Sequence, residues 1–292
     1  MNTSWLSRYE SLLLLGAVVA YLASMLLLWS QLFLQPDKPS TDVALESGQA
    51  GHHSAAITGR IVLGLGALLH FLALVGQGHA LFTVQAGVAG LFGWILAIAY
   101  LLVGQRLGRR TLGVFVTPVA LIAAIYSFTA PLLHNAAPRA LHLEQSWLLI
   151  HVFIILISYV ALAFAFAASL IYLIQEGLLK RKRLSGLWQR LPSLQVADDL
   201  IYRTTSFGLA MLTLGILTGI MWQQMHQQQY AVLQDPKVIF SLVTWVTFAI
   251  YMGARQGLGW RGRRTNLVVV CGFLLLVISF FGAPHLLNGV AR

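Results

Sequence analysis

The sequence predicts an all-α polytopic membrane protein, a helix bundle of about eight transmembrane helices. Of its 292 residues, 58% are hydrophobic and 10% are charged, whereas a soluble domain normally carries about 25% charged residues. Long uncharged runs recur along the chain, and each approaches the roughly 20 residues that a spanning helix needs. This composition excludes an ordinary soluble enzyme and a nucleic-acid-binding tail protein, so we expect no nucleic acid partner.

The apolar runs predict the helices in order. The first run, 11–34, is too long for a signal peptide and no small-residue cleavage site follows it, so we interpret it as a retained anchor. The other seven runs are 61–78, 81–104, 112–132, 147–175, 204–225, 238–254 and 265–283. We expect one integral membrane domain over 1–292, in which residues 1–58 hold the anchor helix and a cytoplasmic loop.

The basic residues predict the orientation of the chain. Fifteen of the nineteen Lys and Arg residues fall in the connections after the first, third, fifth and seventh helices. Positively charged loops tend to remain in the cytoplasm, so both termini are expected outside the cytoplasm. The same loops are interpreted as stop-transfer segments and contacts with the headgroups of the lipid bilayer.

Several kinds of chemistry lack the residues they need. Cys271 is the only cysteine, which excludes an intrachain disulfide, a CxxC pair and covalent CxxCH haem attachment. There is no Walker A loop, GxSxG elbow or HExxH motif, so we expect no turnover reaction and no enzyme. Secondary transport is disfavoured because no charged residue lies at the centre of a span.

The histidines are unevenly distributed under this orientation. Seven of the nine fall toward the outer face, and imidazole is a common metal ligand and an axial ligand of haem iron. Three of the seven lie within spans, namely His70, His151 and His285, and four lie in outer loops, namely His79, His134, His142 and His226. The alternative is that the loop histidines are merely solvated.

His151 is the strongest candidate for a ligand. It lies between Ile150 and Val152 at the start of the fifth span, where an imidazole without a partner would cost about 1–3 kcal/mol. Small residues follow on its helical face, including Ser158 and Ser169, so a flat ligand or another helix can approach closely. The alternative is a histidine that hydrogen-bonds to a neighbouring helix, and His70 has a similar setting.

Two further residues extend the candidate site. Trp222 lies beside the glutamine-rich outer loop, where its indole would suit the edge of a porphyrin, although aromatic residues also collect at membrane boundaries without a ligand. His285 follows Pro284 near the end of the last span and is alternatively an interfacial residue.

Several segments resemble the cytochrome c assembly protein family, over roughly residues 59–285. They are His151 with Ser158-Tyr159-Val160-Ala161-Leu162 and Tyr172-Leu173; Leu212-Thr213-Leu214-Gly215 with Thr218-Gly219; Asp235-Pro236-Lys237; Trp245 to Tyr251; Gly259-Trp260-Arg261-Gly262-Arg263-Arg264; and Phe280-Phe281-Gly282. The chain is most similar to the YpjD/HemX-like branch, which implies a multi-pass protein of the bacterial inner membrane.

The resemblance implies haem at the outer face and a role in cytochrome c assembly or haem trafficking. His151 matches a haem-ligand histidine of the family, and His285 matches a second one more weakly. The family's tryptophan-rich WWD loop is degenerate, because it keeps Trp222 and Asp235 but has glutamines in place of tryptophans. Gly253 stands where haem-transporting members have a membrane histidine.

We therefore expect non-covalent haem b, bound through His151 with His70 or His285 opposite and Trp222 nearby. Other cytochrome c assembly or membrane proteins are the expected partners. A different class stays open: a non-haem accessory protein that docks an ion exporter or a haem-synthesis enzyme. A small-molecule permease is the third possibility.

Overall fold

The fold is made of helices joined by short turns in the part that the structure, a computed structural model, describes: residues 4–33, 45–78, 80–83, 85–104, 111–133, 146–182, 187–225 and 236–290. No strand occurs within these ranges. The helices are α1 (Ser4–Phe33), α2 (Leu45–Gln77), α3 (Ala80–Thr83), α4 (Gln85–Ala99) with a π-helical extension (Tyr100–Gly104), α5 (Leu112–Leu133), α6 (Ser146–Lys180), α7 (Leu187–Arg190), α8 (Leu194–Met225), α9 (Pro236–Gly257) and α10 (Arg263–Val290).

The predicted spans are confirmed in number. Within the described residues, eight helices are long and apolar enough to cross a membrane. The spans are Tyr9–Leu32, Ile57–Gln77, Gln85–Gly104, Leu112–Pro131, Trp147–Lys180, Leu194–Trp222, Val238–Gly257 and Arg263–Phe280. The placement of the termini outside the cytoplasm stays a prediction.

Two helices, α2 and α8, begin ten or more residues earlier than the apolar runs indicate. Helix α2 begins at Leu45, so part of the segment expected as a cytoplasmic loop is helical. Helix α8 begins at Leu194 rather than near 204, and its polar first turns include Asp198, whose carboxylate pairs with Arg255 of α9. An apolar run marks only the part of a helix that crosses the hydrocarbon core of the membrane. A polar helix end outside the core gives no such signal in the sequence.

The chain forms two compact units by its packing. Unit 1 comprises residues 1–142 and 178–192, and unit 2 comprises residues 143–177 and 193–292. Unit 1 thus contains α1 to α5 and α7, and unit 2 contains most of α6 together with α8, α9 and α10. The single membrane domain expected from the sequence stays a prediction.

In unit 1, glycines allow α1 and α2 to approach closely. A Cβ atom on Gly66 would lie 2.8 Å from a ring carbon of Tyr21, so a larger residue would push the helices apart. The hydroxyl of Ser24 donates to the carbonyl oxygen of Gly59 at 2.8 Å. Both contacts place polar atoms of α1 inside the unit, where hydrogen bonds to α2 satisfy them.

In unit 2, a row of three glycines on α8 faces α6. The facing pairs are Gly208 with Leu162, Gly215 with Ile155 and Gly219 with His151. Each step along α8 is matched by an equal step in the opposite direction along α6, so the two helices are antiparallel in a fixed register. Ser158 adds a hydrogen bond to the carbonyl oxygen of Gly208 at 2.8 Å. This register places His151 against the last turns of α8.

The apolar face of α9 is exposed along the helix. Ile239, Val243, Val246 and Ile250 are each between 44% and 59% exposed, and their spacing puts them in one stripe. An exposed apolar stripe on a helix of this length fits contact with lipid chains.

Candidate functional site

His151 lies in the second turn of α6, and its half-buried imidazole packs directly on the backbone of α8. A Cβ atom on Gly219 would lie 2.8 Å from Cε1 of the ring and 3.1 Å from Nδ1. Both distances are shorter than ordinary contacts between such atoms. The absence of a side chain at Gly219 therefore makes room for the ring.

The hydrogen bonds of the His151 ring determine its tautomer. Nδ1 lies 2.8 Å from the carbonyl oxygen of Gly215 and 3.3 Å from Oγ1 of Thr218. A carbonyl oxygen can only accept, so Nδ1 carries the proton and donates it. The Thr218 hydroxyl donates to the carbonyl oxygens of Leu214 and Gly215, both at 2.9 Å, and its oxygen also faces Nδ1–H. In the neutral ring, Nε2 therefore keeps its lone pair.

The partner expected for His151 is thus α8. The alternative interpretation, a histidine that hydrogen-bonds to a neighbouring helix, is correct for one nitrogen of the ring, because Nδ1 bonds to α8. Nε2 makes no hydrogen bond with any residue in the described ranges. One nitrogen is held by the fold while the other remains available to a ligand.

This arrangement is chemically suited to binding iron in a porphyrin. Metal-bound histidines commonly donate their second N–H to a carbonyl oxygen, which fixes the ring and raises the basicity of the ligand nitrogen. No group of three or more His, Cys, Asp or Glu side chains that could hold a bare metal ion occurs among the residues the structure describes. Haem iron takes four nitrogens from the porphyrin and needs one or two ligands from the protein. A single oriented imidazole therefore fits haem better than a bare metal ion.

Trp222 lies close to this site along α8. It is four residues after Thr218, so both side chains fall on the same face of the helix, one turn apart. Its side chain is half-buried. The glutamine-rich segment follows Trp222 along the chain, and its residues 226–235 lie outside the described ranges.

His70 has a different environment in unit 1. Its side chain is 0% exposed, and Nδ1 lies 3.3 Å from the hydroxyl of Tyr21. Nε2 lies 3.2 Å from the position that a Cβ atom on Gly90 would take, and Oγ of Ser127 lies 2.6 Å from the same point. The neighbouring helices enclose the ring, so a porphyrin has no access to it in this conformation.

The other candidate histidines are not placed by the structure. His285 lies in the last part of α10, for which the structure describes the backbone and not the side chains. Four histidines predicted in outer loops lie outside the described residues: His79, His134, His142 and His226. The outward histidine cluster stays a prediction.

An ion pair inside unit 2 was not anticipated from the sequence. Nη1 and Nη2 of Arg255 donate to the two carboxylate oxygens of Asp198 at 2.7 and 2.8 Å. The guanidinium carbon lies 4.9 Å from the ring centre of Tyr202. Arg255 is one of the fifteen basic residues expected in the connections between spans, and this expectation is wrong for it, because α9 continues to Gly257. No spacing rule links residues so far apart in the sequence.

The chain is similar to known cytochrome c assembly and biogenesis proteins over most of its length. The family model described as "Cytochrome C assembly protein" matches residues 83–291. The cytochrome c biogenesis protein CcsA of Mesostigma viride is 29% identical over 219 residues, which cover 68% of this chain and 72% of the relative.

Two further relatives carry the same name, cytochrome c biogenesis protein CcsA. The CcsA of Synechococcus sp. (strain CC9902) is 32% identical to this chain over an alignment that covers 65% of this chain and 69% of the relative. That of Chlorella vulgaris is 28% identical over 84% of this chain and 89% of its own. The finer likeness to the YpjD/HemX-like branch stays a prediction. The chain belongs to the cytochrome c assembly protein family.

Proposed function

We propose that this protein assists cytochrome c assembly by holding non-covalent haem b at one end of unit 2, where Nε2 of His151 would bind the iron. The hydrogen bond from Nδ1 of His151 to the carbonyl oxygen of Gly215 carries the proposal. It leaves Nε2 unprotonated in a neutral ring, which is the form that binds iron. Family membership supports a role in cytochrome c assembly. The packing of α6 on α8 supports His151 as the residue that binds haem.

In this proposal His285 rather than His70 would supply a second iron ligand. The enclosed ring of His70 would need unit 1 to open before it could reach iron. Trp222, one turn beyond Thr218, is proposed to cover the edge of the porphyrin. Bound haem would supply an iron centre and a flat apolar surface. His151 would hold the iron, and Gly219 leaves room for the His151 ring against α8.

The biological setting belongs to the same proposal. We place the protein in a bacterial inner membrane with the His151 end facing outward. Haem is its small-molecule partner, and other cytochrome c assembly proteins are its macromolecular partners. The family match gives no support to an accessory protein without haem.

The test is the absorption spectrum of the protein purified from haem-replete cells. We expect a Soret band in the wild type and a band that is weakened and shifted in His151→Gly, because the variant loses its axial nitrogen. Added imidazole should restore the wild-type position of the band, since it replaces the missing ligand without a change in fold.

Matched histidine variants separate the ligand from general effects. His53→Ala changes a histidine in the polar first part of α2, and His70→Ala changes the enclosed one. Both should retain the Soret band if folded. Absence of haem from the wild type, or a spectrum unaffected by His151→Gly, would refute the proposal.

A further inference from the structure

The end of unit 2 opposite His151 contains buried polar side chains on every helix of the unit. The ion pair of Asp198 on α8 and Arg255 on α9 is part of this group, and its side chains are 12% and 8% exposed respectively. Ser169 on α6, Thr205 on α8 and Asn266 on α10 are each 0% exposed. These five residues are called the inner polar layer below.

The helix registers place the inner polar layer at one level. Extending the α6–α8 register from Gly208 and Leu162 brings Ser169 opposite Ile201, one turn from Thr205. On α9 and α10, the contact of Phe248 with Gly272 sets the register. Six residues before Gly272 on α10 is Asn266, and six residues after Phe248 on α9 is Ala254. The antiparallel register therefore places Asn266 beside Ala254, the neighbour of Arg255.

A second register confirms the level of Thr205. The indole of Trp245 donates to Oγ1 of Thr213 at 2.8 Å, and the hydroxyl of Ser206 lies 3.5 Å from the sulfur of Met252. These contacts between α8 and α9 are seven residues apart on both helices. Thr205 is therefore level with Gly253, about two residues from Arg255.

Four polar atoms of the layer lack hydrogen-bond partners among the described residues. They are Oγ of Ser169, Oγ1 of Thr205, and both Oδ1 and Nδ2 of Asn266. An unpaired buried hydroxyl or amide costs roughly 1–3 kcal/mol, and nearly all such groups in native proteins are paired with protein or water. Several unpaired groups at one level indicate a common partner.

We propose that the inner polar layer is a hydrated site, which binds water molecules between the four helices of unit 2. Its chemistry fits a neutral ligand with both donors and acceptors. Asp198 and Arg255 neutralise each other, the hydroxyls of Ser169 and Thr205 donate and accept, and the Asn266 amide does both. An isolated ion would have no countercharge, and an apolar ligand would leave the amide unpaired. This inference does not depend on the haem proposal.

Cysteine accessibility tests the hydrated site in the full-length protein. In a Cys271→Ser background, Ser169→Cys and Thr205→Cys introduce thiols of nearly the original size. The thiolate attacks the sulfenyl sulfur of a small hydrophilic methanethiosulfonate reagent, which forms a mixed disulfide and releases methanesulfinate, and a thiol ionises where water reaches it. Leu212→Cys is the matched control, because it lies two turns further along α8 and Leu212 is 1% exposed.

We expect both layer variants to react at least about tenfold faster than the control. Equal rates for Thr205→Cys and Leu212→Cys in folded protein would overturn the proposal. Circular dichroism and gel filtration identify variants that have folded.

Hydroxyl-radical labelling of the wild type gives a second measurement that needs no substitution. Tyr251 is 0% exposed, lies four residues before Arg255 on α9, and its hydroxyl makes no hydrogen bond with a described residue, whereas Tyr100 is 2% exposed in unit 1. Radicals form from nearby water, so Tyr251 should be modified several-fold faster than Tyr100. Equal protection of these two tyrosines would overturn the hydrated site.

Discussion

The substitution Gly219→Ala would add one methyl group against the proposed ligand. The new Cβ atom would lie 2.8 Å from Cε1 and 3.1 Å from Nδ1 of His151, whereas carbon atoms normally approach to about 3.5–4.0 Å. The imidazole would have to move by about 1 Å. The distance from Nδ1 to the carbonyl oxygen of Gly215, now 2.8 Å, would then exceed the usual hydrogen-bond limit of about 3.2 Å.

The free energy of unfolding should change little, whereas the affinity for haem should fall. Overpacking costs about 1–3 kcal/mol, and replacing a helical glycine by alanine regains about 1 kcal/mol. Loss of the partner that orients a metal-bound histidine typically weakens binding about 10- to 100-fold. We expect a loss of haem affinity in this range with a net destabilisation of about 1 kcal/mol.

Haem titration of the purified apoprotein, followed at the Soret band, measures this loss. Gly177→Ala is the matched control, because Gly177 lies on α6 with no atom within 4 Å of its added Cβ. The control should bind haem as the wild type does. If Gly219→Ala also binds with unchanged affinity and spectrum, the close packing of His151 on α8 does not position the ligand.

Two further predictions concern stability. Asp198→Asn should destabilise the protein by about 3 kcal/mol, because it leaves the charge of Arg255 without its partner. The double variant with Arg255→Gln should lose less stability than the sum of the two single variants. Thermal unfolding in detergent measures both effects. Tyr21→Phe should cost about 1–2 kcal/mol, since it removes the hydrogen bond to His70, and it should leave the haem spectrum unchanged; a shifted Soret band would show that His70 influences the haem.

The spans could be predicted because lipid imposes one strong rule. A backbone that crosses hydrocarbon must satisfy its own hydrogen bonds, so each apolar run of sufficient length becomes a helix. The same rule says little about the polar start of α8. That part of the helix includes Asp198, whose partner Arg255 comes 57 residues later in the chain. A contact between two separate helices decides its structure, and an apolar pattern does not show it.

The candidate site could be predicted in part for a similar reason. The cost of burying an imidazole indicates that His151 needs a partner, but it does not identify Gly215, which follows 64 residues later. The spacing of Gly208, Gly215 and Gly219 contained that information, since small residues four and seven apart mark a face where another helix approaches. The predicted outer loops, which hold four of the other eight histidines, carry no comparable repeat.

The interior between the two polar ends of unit 2 argues for haem loading from one side. His151 and Ser169 are eighteen residues apart on α6, or about 27 Å at 1.5 Å per residue, which approaches the thickness of the hydrocarbon core. Leu156, Leu162 and Phe248 are each 0% exposed in this part of the unit, so a porphyrin crossing the interior would have to displace packed side chains.

Haem in this proposal therefore enters and leaves at the His151 end, and the two polar ends should behave independently. Distant sites without shared partners change energies additively. Asn266→Leu should leave haem affinity unchanged, and Gly219→Ala should leave the labelling rate of Thr205→Cys unchanged. Haem titration and thiol labelling of the two single variants and the combined variant measure both effects. A change of haem affinity in Asn266→Leu would mean that the packed interior couples the two ends energetically. The proposal of haem loading from one side would then have to be abandoned.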